Sequence, residues 1–407
     1  MRAFNFRLYA LVLRFLCPLA VLFLTNPEMM GQYYIFISYF TFAVTISGLE
    51  LAVPFASKFL RGKTERQRDI ILNAFIKNQI ALTLFISLPA SVIIANMIEI
   101  PSTLVPFLFV ALASESTVNE LNRFYWNIGL VLKPSVRDLM RSFVFAVSVV
   151  GSVLLYENIL TIFTFLFIII GNFAILMIEF KTILSRFNNL NGNLLYKIQK
   201  LCLRVRQTVS SSIPYFFHMQ ILGIQPLLER TLIEKSFGFT QVAAFAFTIS
   251  IVQTSAGLLL LPYISAVKSK IIGVREMNEW KLVKKLSLKL LLKIILVSGT
   301  LSGIVFLIIP ILNTITNKEL PLSAMLVFSA FATTVASVFC SSVSPVITKR
   351  GRGIKENIYS FLILLPLFFV NILPTEVELL NTSLHIIATI AILLMAHRIY
   401  LIIILKI

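Results

Sequence analysis

Aspartate is nearly missing from this chain, with only Asp69 and Asp138 among 407 residues. Magnesium-dependent phosphoryl or glycosyl transfer needs clustered carboxylates to hold the metal, and two distant aspartates cannot supply them. Cysteine is also scarce. Cys17, Cys202 and Cys340 stand far apart, which excludes a disulfide framework and any paired metal spacing. Gly62-Lys63-Thr64 imitates the end of a phosphate-binding loop, but the position five residues earlier holds Ser57 instead of glycine, so no ATP site is read. Asn381-Thr-Ser is a glycosylation triplet by pattern only. These absences point away from an enzyme and away from any cofactor or metal.

Charged residues make up only 13% of the chain and hydrophobic ones 58%. With a mean hydropathy of +0.91, this lies far outside a soluble globular composition. The net charge of +18 does not indicate nucleic acid, because the basic residues fall between apolar segments instead of forming a patch. Stretches long enough to cross ~30 Å of hydrocarbon as helix recur near 8–25, 33–57, 70–98, 102–127, 138–155, 159–180, 209–228, 240–265, 288–310, 322–346, 357–373 and 380–400. The expectation is an all-α integral membrane protein of about 12 spans, its first span retained and not a cleaved signal. If both termini are cytoplasmic, the inner connections carry 29 of the 36 Lys and Arg, Arg137, Arg141 and Arg398 among them. The outer connections carry Arg230, Lys235 and Lys318 beside acidic residues. Adding or dropping one span scrambles this alternation. No outer connection is long enough to display the reactive loop of a membrane-embedded glycan polymerase.

The chain divides into halves. Residues 1–190 form six spans, 191–208 a cytoplasmic amphipathic linker and 209–407 six more. In the linker, Leu194, Ile198, Leu201 and Val205 oppose Lys197, Lys200 and Arg204, a pattern suited to anionic inner-leaflet lipids. A second amphipathic stretch, REMNEWKLVKKLSLKLL, follows the eighth span. Span two ends GLELAVPFASK and span eight GLLLLPYISAVK, with Pro54 and Pro262 separated by 208 residues, as a duplication of six spans requires. Six spans return the chain to the same side, which favours a parallel repeat.

Polar residues inside the spans are the functional candidates, because an ionised group in the bilayer costs at least a few kcal/mol. Glu115 lies about 20 Å into span four at 1.5 Å per residue, and Glu115, Asn119, Asn122 and Arg123 share one helical face that Trp126 continues. Lipid offers these groups no partners, so this face is expected to line a water-filled cavity, with local pairing of Glu120 and Arg123 as the alternative. Arg14 of span one can reach the same cavity or snorkel to headgroups. Span seven carries His218, Gln225, Glu229 and Arg230 around Pro214 and Pro226. The Ser329, Thr333, Ser337, Ser341, Ser344 stripe of span ten suits close helix packing more than substrate contact.

LTNPEMMGQYYIFISYFTFAVTISGLELAVP, residues 24–54, resembles the first hairpin of the polysaccharide flippases of bacterial O-antigen and capsule synthesis, with their Pro-Glu-x-x-Gly-x-Tyr turn. SSIPYFFHMQILGIQPLLERTLIEKSFGFTQVAAFAF, residues 211–247, resembles the start of their second half, with Gly238 and Phe245 a partial match to its turn. The resemblance implies two six-helix lobes around a central cavity, the fold shared with multidrug and toxin extruders. It implies transfer of an undecaprenyl-pyrophosphate-linked oligosaccharide to the periplasmic leaflet of the bacterial inner membrane, and contact with other polysaccharide assembly proteins. The cavity would be lined by Arg14, Glu115, Asn119, Asn122, Arg123, His218, Gln225 and Arg230. With no cofactor, energy would come from an ion gradient or the membrane potential, worth about 2.3 kcal/mol per charge per 100 mV, with Glu115 as the coupling acid. An ion-coupled drug or metabolite antiporter of the same fold is the alternative.

Overall fold

The computed structural model describes residues 2–184 apart from 50, 62–63 and 131, then 216, 220, 223–267 with short gaps, 280–347, 359–367 and 380–404. The 191–208 linker, His218 and Pro262 lie outside the described residues. Every described element is helical. In chain order these are α1 (Arg2–Leu24), α2 (Pro27–Gly48), α3 (Ala52–Arg61), α4 (Glu65–Met97), α5 (Val105–Asn127), α6 (Leu132–Tyr156) and α7 (Ile162–Leu184). They continue as α8 (Gly223–Gln253), α9 (Trp280–Thr316), α10 (Ala324–Ile347), α11 (359–367) and α12 (Leu380–Ile404). Among the described residues, eight helices are long and apolar enough to cross a membrane, and Ile162–Ile178 and Ala324–Cys340 are shorter apolar stretches. Side chains such as Phe85, Leu296, Leu307 and Met177 stand exposed, as lipid contact requires.

Local chemistry sets the helix ends. Asn26 Oδ1 accepts the Met29 N–H at 2.8 Å, Pro27 opens α2, and Glu28 sits in its first turn. All three are favoured at a helix start. Thr64 caps α4 the same way through Gln67 N–H.

Several boundaries differ from those read in the sequence. Span two is two helices, α2 and α3, because the chain breaks after Gly48 with Leu49 at φ +51°. Arg137 and Arg141 lie inside α6 instead of in a connection: Arg141 pairs with Glu115 of α5 and with Asp138 one turn away, and Arg137 donates to Asn122 of α5. The expected loop between spans seven and eight contracts to a left-handed Gly238 (φ +77°) within the helical run of α8, so Arg230 is a helical, half-buried residue. Glycine takes that conformation without a Cβ penalty. The second amphipathic stretch is not a separate surface helix from Trp280 onward, where α9 runs unbroken into the ninth span. Arg398, counted with the inner connections at the end of the last span, is 1% exposed within α12.

The chain forms two compact units. One comprises residues 1–17 and 39–220, the other 18–38 and 221–407. In the first, Phe75 and Phe124 stack at 4.7 Å between centroids, with Phe55 and Phe59 packed on them. α6 and α7 approach closely because Gly151 lies under Phe163 and Gly171 under Val144. In the second, α10 meets α12 through Ala332, Ala336, Ala388 and Ala391, small residues that let membrane helices close up. Ser329 Oγ donates across that contact to the Leu384 carbonyl at 2.9 Å. The tip of the first hairpin belongs to this unit. Lys318 Nζ donates to the carbonyls of Leu22, Phe23 and Thr25, closing the carboxyl end of α1.

Gly31 faces the Phe239 backbone, and a Cβ there would stand 2.0 Å from the carbonyl oxygen. Gly31→Ala is therefore expected to lower stability by about 1–3 kcal/mol, read as a lower unfolding midpoint in detergent. Gly303→Ala, with open space around it, should leave the midpoint within the scatter of the wild type.

Candidate functional site: a polar network in each unit

α5 and α6 carry the charged residues of the first unit on facing turns. Arg141 of α6 makes an ion pair with Glu115 Oε1 of α5, and Asn172 Nδ2 of α7 donates to the other carboxylate oxygen at 2.9 Å. Three helices thus converge on Glu115. Asn172 also donates to Ser114 Oγ at 3.2 Å. Arg141 Nη1 reaches Asp138 Oδ1 at 3.4 Å, and the same oxygen accepts from Asn122 Nδ2 at 3.1 Å. Asn122 Oδ1 in turn accepts from Arg137 at 3.4 Å. Arg14 of α1 joins through Ser142, to which its Nε donates at 2.9 Å, and Ser142 Oγ donates to the Asp138 carbonyl. One turn along α5, Arg123 Nη1 donates to Glu120 Oε1 at 3.2 Å. Aromatic rings cover the cationic side, with the Arg7 guanidinium 4.4 Å from the Trp126 ring and that of Arg137 4.8 Å from Tyr125.

Burial decides what this network is worth. The side chains of Glu115 and Arg141 are 18% and 12% exposed, so each would be costly alone, and each meets a partner that repays much of that cost. On the α5 face expected to line a cavity, Glu115 bonds to Arg141 of α6 and Asn172 of α7, and Asn122 to Asp138 of α6. The local Glu120–Arg123 pair is also present.

The second unit holds a different arrangement. Glu229 of α8 is 0% exposed, and its Oε1 accepts from Gln225 Nε2 at 2.8 Å and from Thr333 Oγ1 of α10 at 3.1 Å. Its Oε2 is buried and has no hydrogen-bond partner among the described residues. The next residue, Arg230, points to α2, where it donates to Ser38 Oγ at 2.5 Å and to the Tyr34 carbonyl at 3.2 Å, with its guanidinium over the Tyr34 ring.

The expected site residues therefore fall into these two networks. Arg14, Glu115 and Asn122 join in the first, with Arg123 beside them and Asn119 half-buried on the same helix. Gln225 belongs to the second, and Arg230 turns from it to the hairpin. Sequence reasoning missed Arg137, Asp138, Arg141 and Asn172 as network members. Their signal was there: two arginines and an aspartate at the mouth of an apolar run, and a solitary amide in the middle of the sixth. Glu229 and Thr333 were visible only as members of polar lists.

If the first network is held by compensation, removing one partner costs more than removing both. Arg141→Met is expected to destabilise the protein by about 3 kcal/mol, and Arg141→Met with Glu115→Leu to recover most of that loss. Unfolding of the single and double variants in detergent measures the coupling.

Among the described residues no group of three or more His, Cys, Asp or Glu could hold a metal ion. No family model matches the sequence, and no curated protein does. Solved structures do. A multidrug resistance MATE family transporter of the MOP superfamily, in an inward-facing conformation, aligns over 98% of both chains at 14% identity with a TM-score of 0.60. A MOP superfamily transporter from Pyrococcus furiosus, described by the reversed polarity of its binding pocket, aligns over 98% of this chain and 94% of that one at 14% identity and TM-score 0.56. The lipid II flippase MurJ, in an inward closed conformation, aligns over 99% of this chain and 87% of that one at 15% identity and TM-score 0.56. At such low identity the likeness bears on architecture: this is an all-α, multi-pass membrane protein with the MATE-like fold of the MOP superfamily transporters.

Proposed function

We propose that this protein is an alternating-access transporter of the bacterial cytoplasmic membrane. Its cargo would be an undecaprenyl-pyrophosphate-linked oligosaccharide, moved from the cytoplasmic to the periplasmic leaflet for surface polysaccharide synthesis. The observation that carries the choice of cargo is the charge balance of the first network. Among the described residues, Arg14, Arg123, Arg137 and Arg141 stand against Glu115, Glu120 and Asp138, and Arg7 lies over Trp126 beside them. A cationic surplus in a low-dielectric setting attracts a pyrophosphate and repels a cationic drug. The sugar and pyrophosphate cannot enter hydrocarbon unaided, whereas the polyprenyl tail can remain in it. The sequence likeness of residues 24–54 and 211–247 to polysaccharide flippases supports the same cargo.

An ion-coupled drug or metabolite antiporter is the second reading, favoured by the likeness to a multidrug resistance transporter of this fold. In either reading the coupling acid needs an oxygen to spare. Both oxygens of Glu115 are engaged by Arg141 and Asn172, whereas Glu229 has one with no hydrogen-bond partner among the described residues. Proton coupling is accordingly assigned to Glu229 in this proposal, and Glu115 orients Arg141.

Proteoliposomes containing the purified protein separate the readings. Translocation of a fluorescent undecaprenyl-pyrophosphate oligosaccharide is expected, and proton-driven efflux of a cationic dye without it would reverse the choice. The stable Arg141→Met, Glu115→Leu double variant should fold yet lose translocation by about tenfold or more. Wild-type translocation by that variant would make the network purely structural. Glu229→Gln should abolish the response to an imposed proton gradient while leaving gradient-free exchange of labelled lipid, and a retained response would remove Glu229 from coupling.

A further inference from the structure

The junction between α2 and α3 is built from tertiary contacts. α2 stops at Gly48, Leu49 takes a left-handed φ of +51°, and α3 begins at Ala52. A helix interrupted in an apolar core leaves backbone carbonyls on one side of the break and N–H groups on the other in need of partners. Here the Ser47 carbonyl accepts from Thr83 Oγ1 of α4 at 3.4 Å, and Thr83 accepts from Gln79 Nε2 at 2.8 Å. Across the break the Ala52 N–H donates to Glu120 Oε2 of α5 at 3.1 Å. Glu120, Leu51 and Ala52 are each 0% exposed. Gly48 makes room for the carboxylate arm, because a Cβ on it would stand 2.8 Å from Glu120 Cγ.

Pro54, in the first turn of α3, opposes an uninterrupted helix through this point, so the two helices cannot anneal into one. A leucine in the left-handed region is disfavoured and persists only where its surroundings impose it, and the surroundings here are α4 and α5. A shift of either helix would withdraw a cap and free the junction, which is how a few residues at an element's end absorb a change in φ and ψ. We propose that the α2–α3 junction is a hinge about which α3 moves as a short rigid helix. Glu120 is the positioning residue that latches it in the arrangement seen here.

The test uses the full chain in nanodiscs, with Cys17, Cys202 and Cys340 replaced by serine and spin labels at Leu60→Cys on α3 and Phe85→Cys on α4, both exposed sites. The parent should give one distance population. Glu120→Ala and Gly48→Ala should each add a second, while Glu120→Gln, which keeps an acceptor oxygen for the Ala52 N–H, should retain the parent distribution. A control pair at Phe85→Cys and Phe143→Cys, which omits α3, should not change in any variant. The parent distribution in both Glu120→Ala and Gly48→Ala would overturn the proposal. Equal broadening of the control pair would do so too, since it would mean general loosening of the unit. Should Glu120→Ala fail to fold, Gly48→Ala decides alone.

Discussion

Charge compensation at low dielectric is the constraint on which the first unit rests. Glu115, Arg141 and Asn172 come from three helices, and none of the three side chains has an equivalent partner in lipid. Separating those helices would strand a carboxylate and a guanidinium in an apolar medium, so the pairing fixes which turns of α5, α6 and α7 face one another. The aromatic stack of Phe75 and Phe124 supplies area, but area alone would tolerate sliding. The ion pair does not, because its strength depends on two particular atoms meeting.

The second unit meets the same constraint with fewer charges. Glu229 is held by an amide and a hydroxyl, and Arg230 turns away to carbonyl and hydroxyl groups of α2. That contact, the closure of α1 by Lys318 and the close approach of Gly31 to Phe239 all act on the tip of the first hairpin. They explain physically why residues 18–38 group with the second unit. A Pro-Glu-x-x-Gly turn is then more than a way to reverse the chain: its proline and glutamate start a helix, and its glycine allows another backbone to come close.

The proposed function draws on unequal neutralisation. Among the described residues the arginines of the first network outnumber its acids, as the proposed anionic cargo would require, and Glu229 Oε2 of the second has no hydrogen-bond partner, as the proposed coupling ion would require. Substrate attraction and energy coupling would then reside in different units. The latched break between α2 and α3 places a movable element beside the first network, since Glu120 both caps α3 and accepts from Arg123.

The sequence by itself determined the membrane class, the helical content and the residues too polar to face lipid. Those follow from one-dimensional rules: the length of an apolar run, the side on which Lys and Arg collect, and the cost of a charge in hydrocarbon. Glu115, Asn122 and Arg14 were legible as polar residues that need partners, whereas the helix start at Asn26–Pro27–Glu28 lies six residues before the span read from the apolar run, although its capping signals are local. Their partners were not legible. Arg141 and Arg137 read as cytoplasmic loop charges because a sequence window cannot see that α5 brings Glu115 and Asn122 within reach of them. The break after Gly48 was likewise hidden inside one apolar run, whereas Gly238 was legible as a turn and only its place within a helical run was not. Only the tertiary structure decided which oxygen meets which guanidinium and where a span is cut. Those choices depend on contacts between residues up to about three hundred positions apart, as with Lys318 and Leu22, and no local preference encodes them.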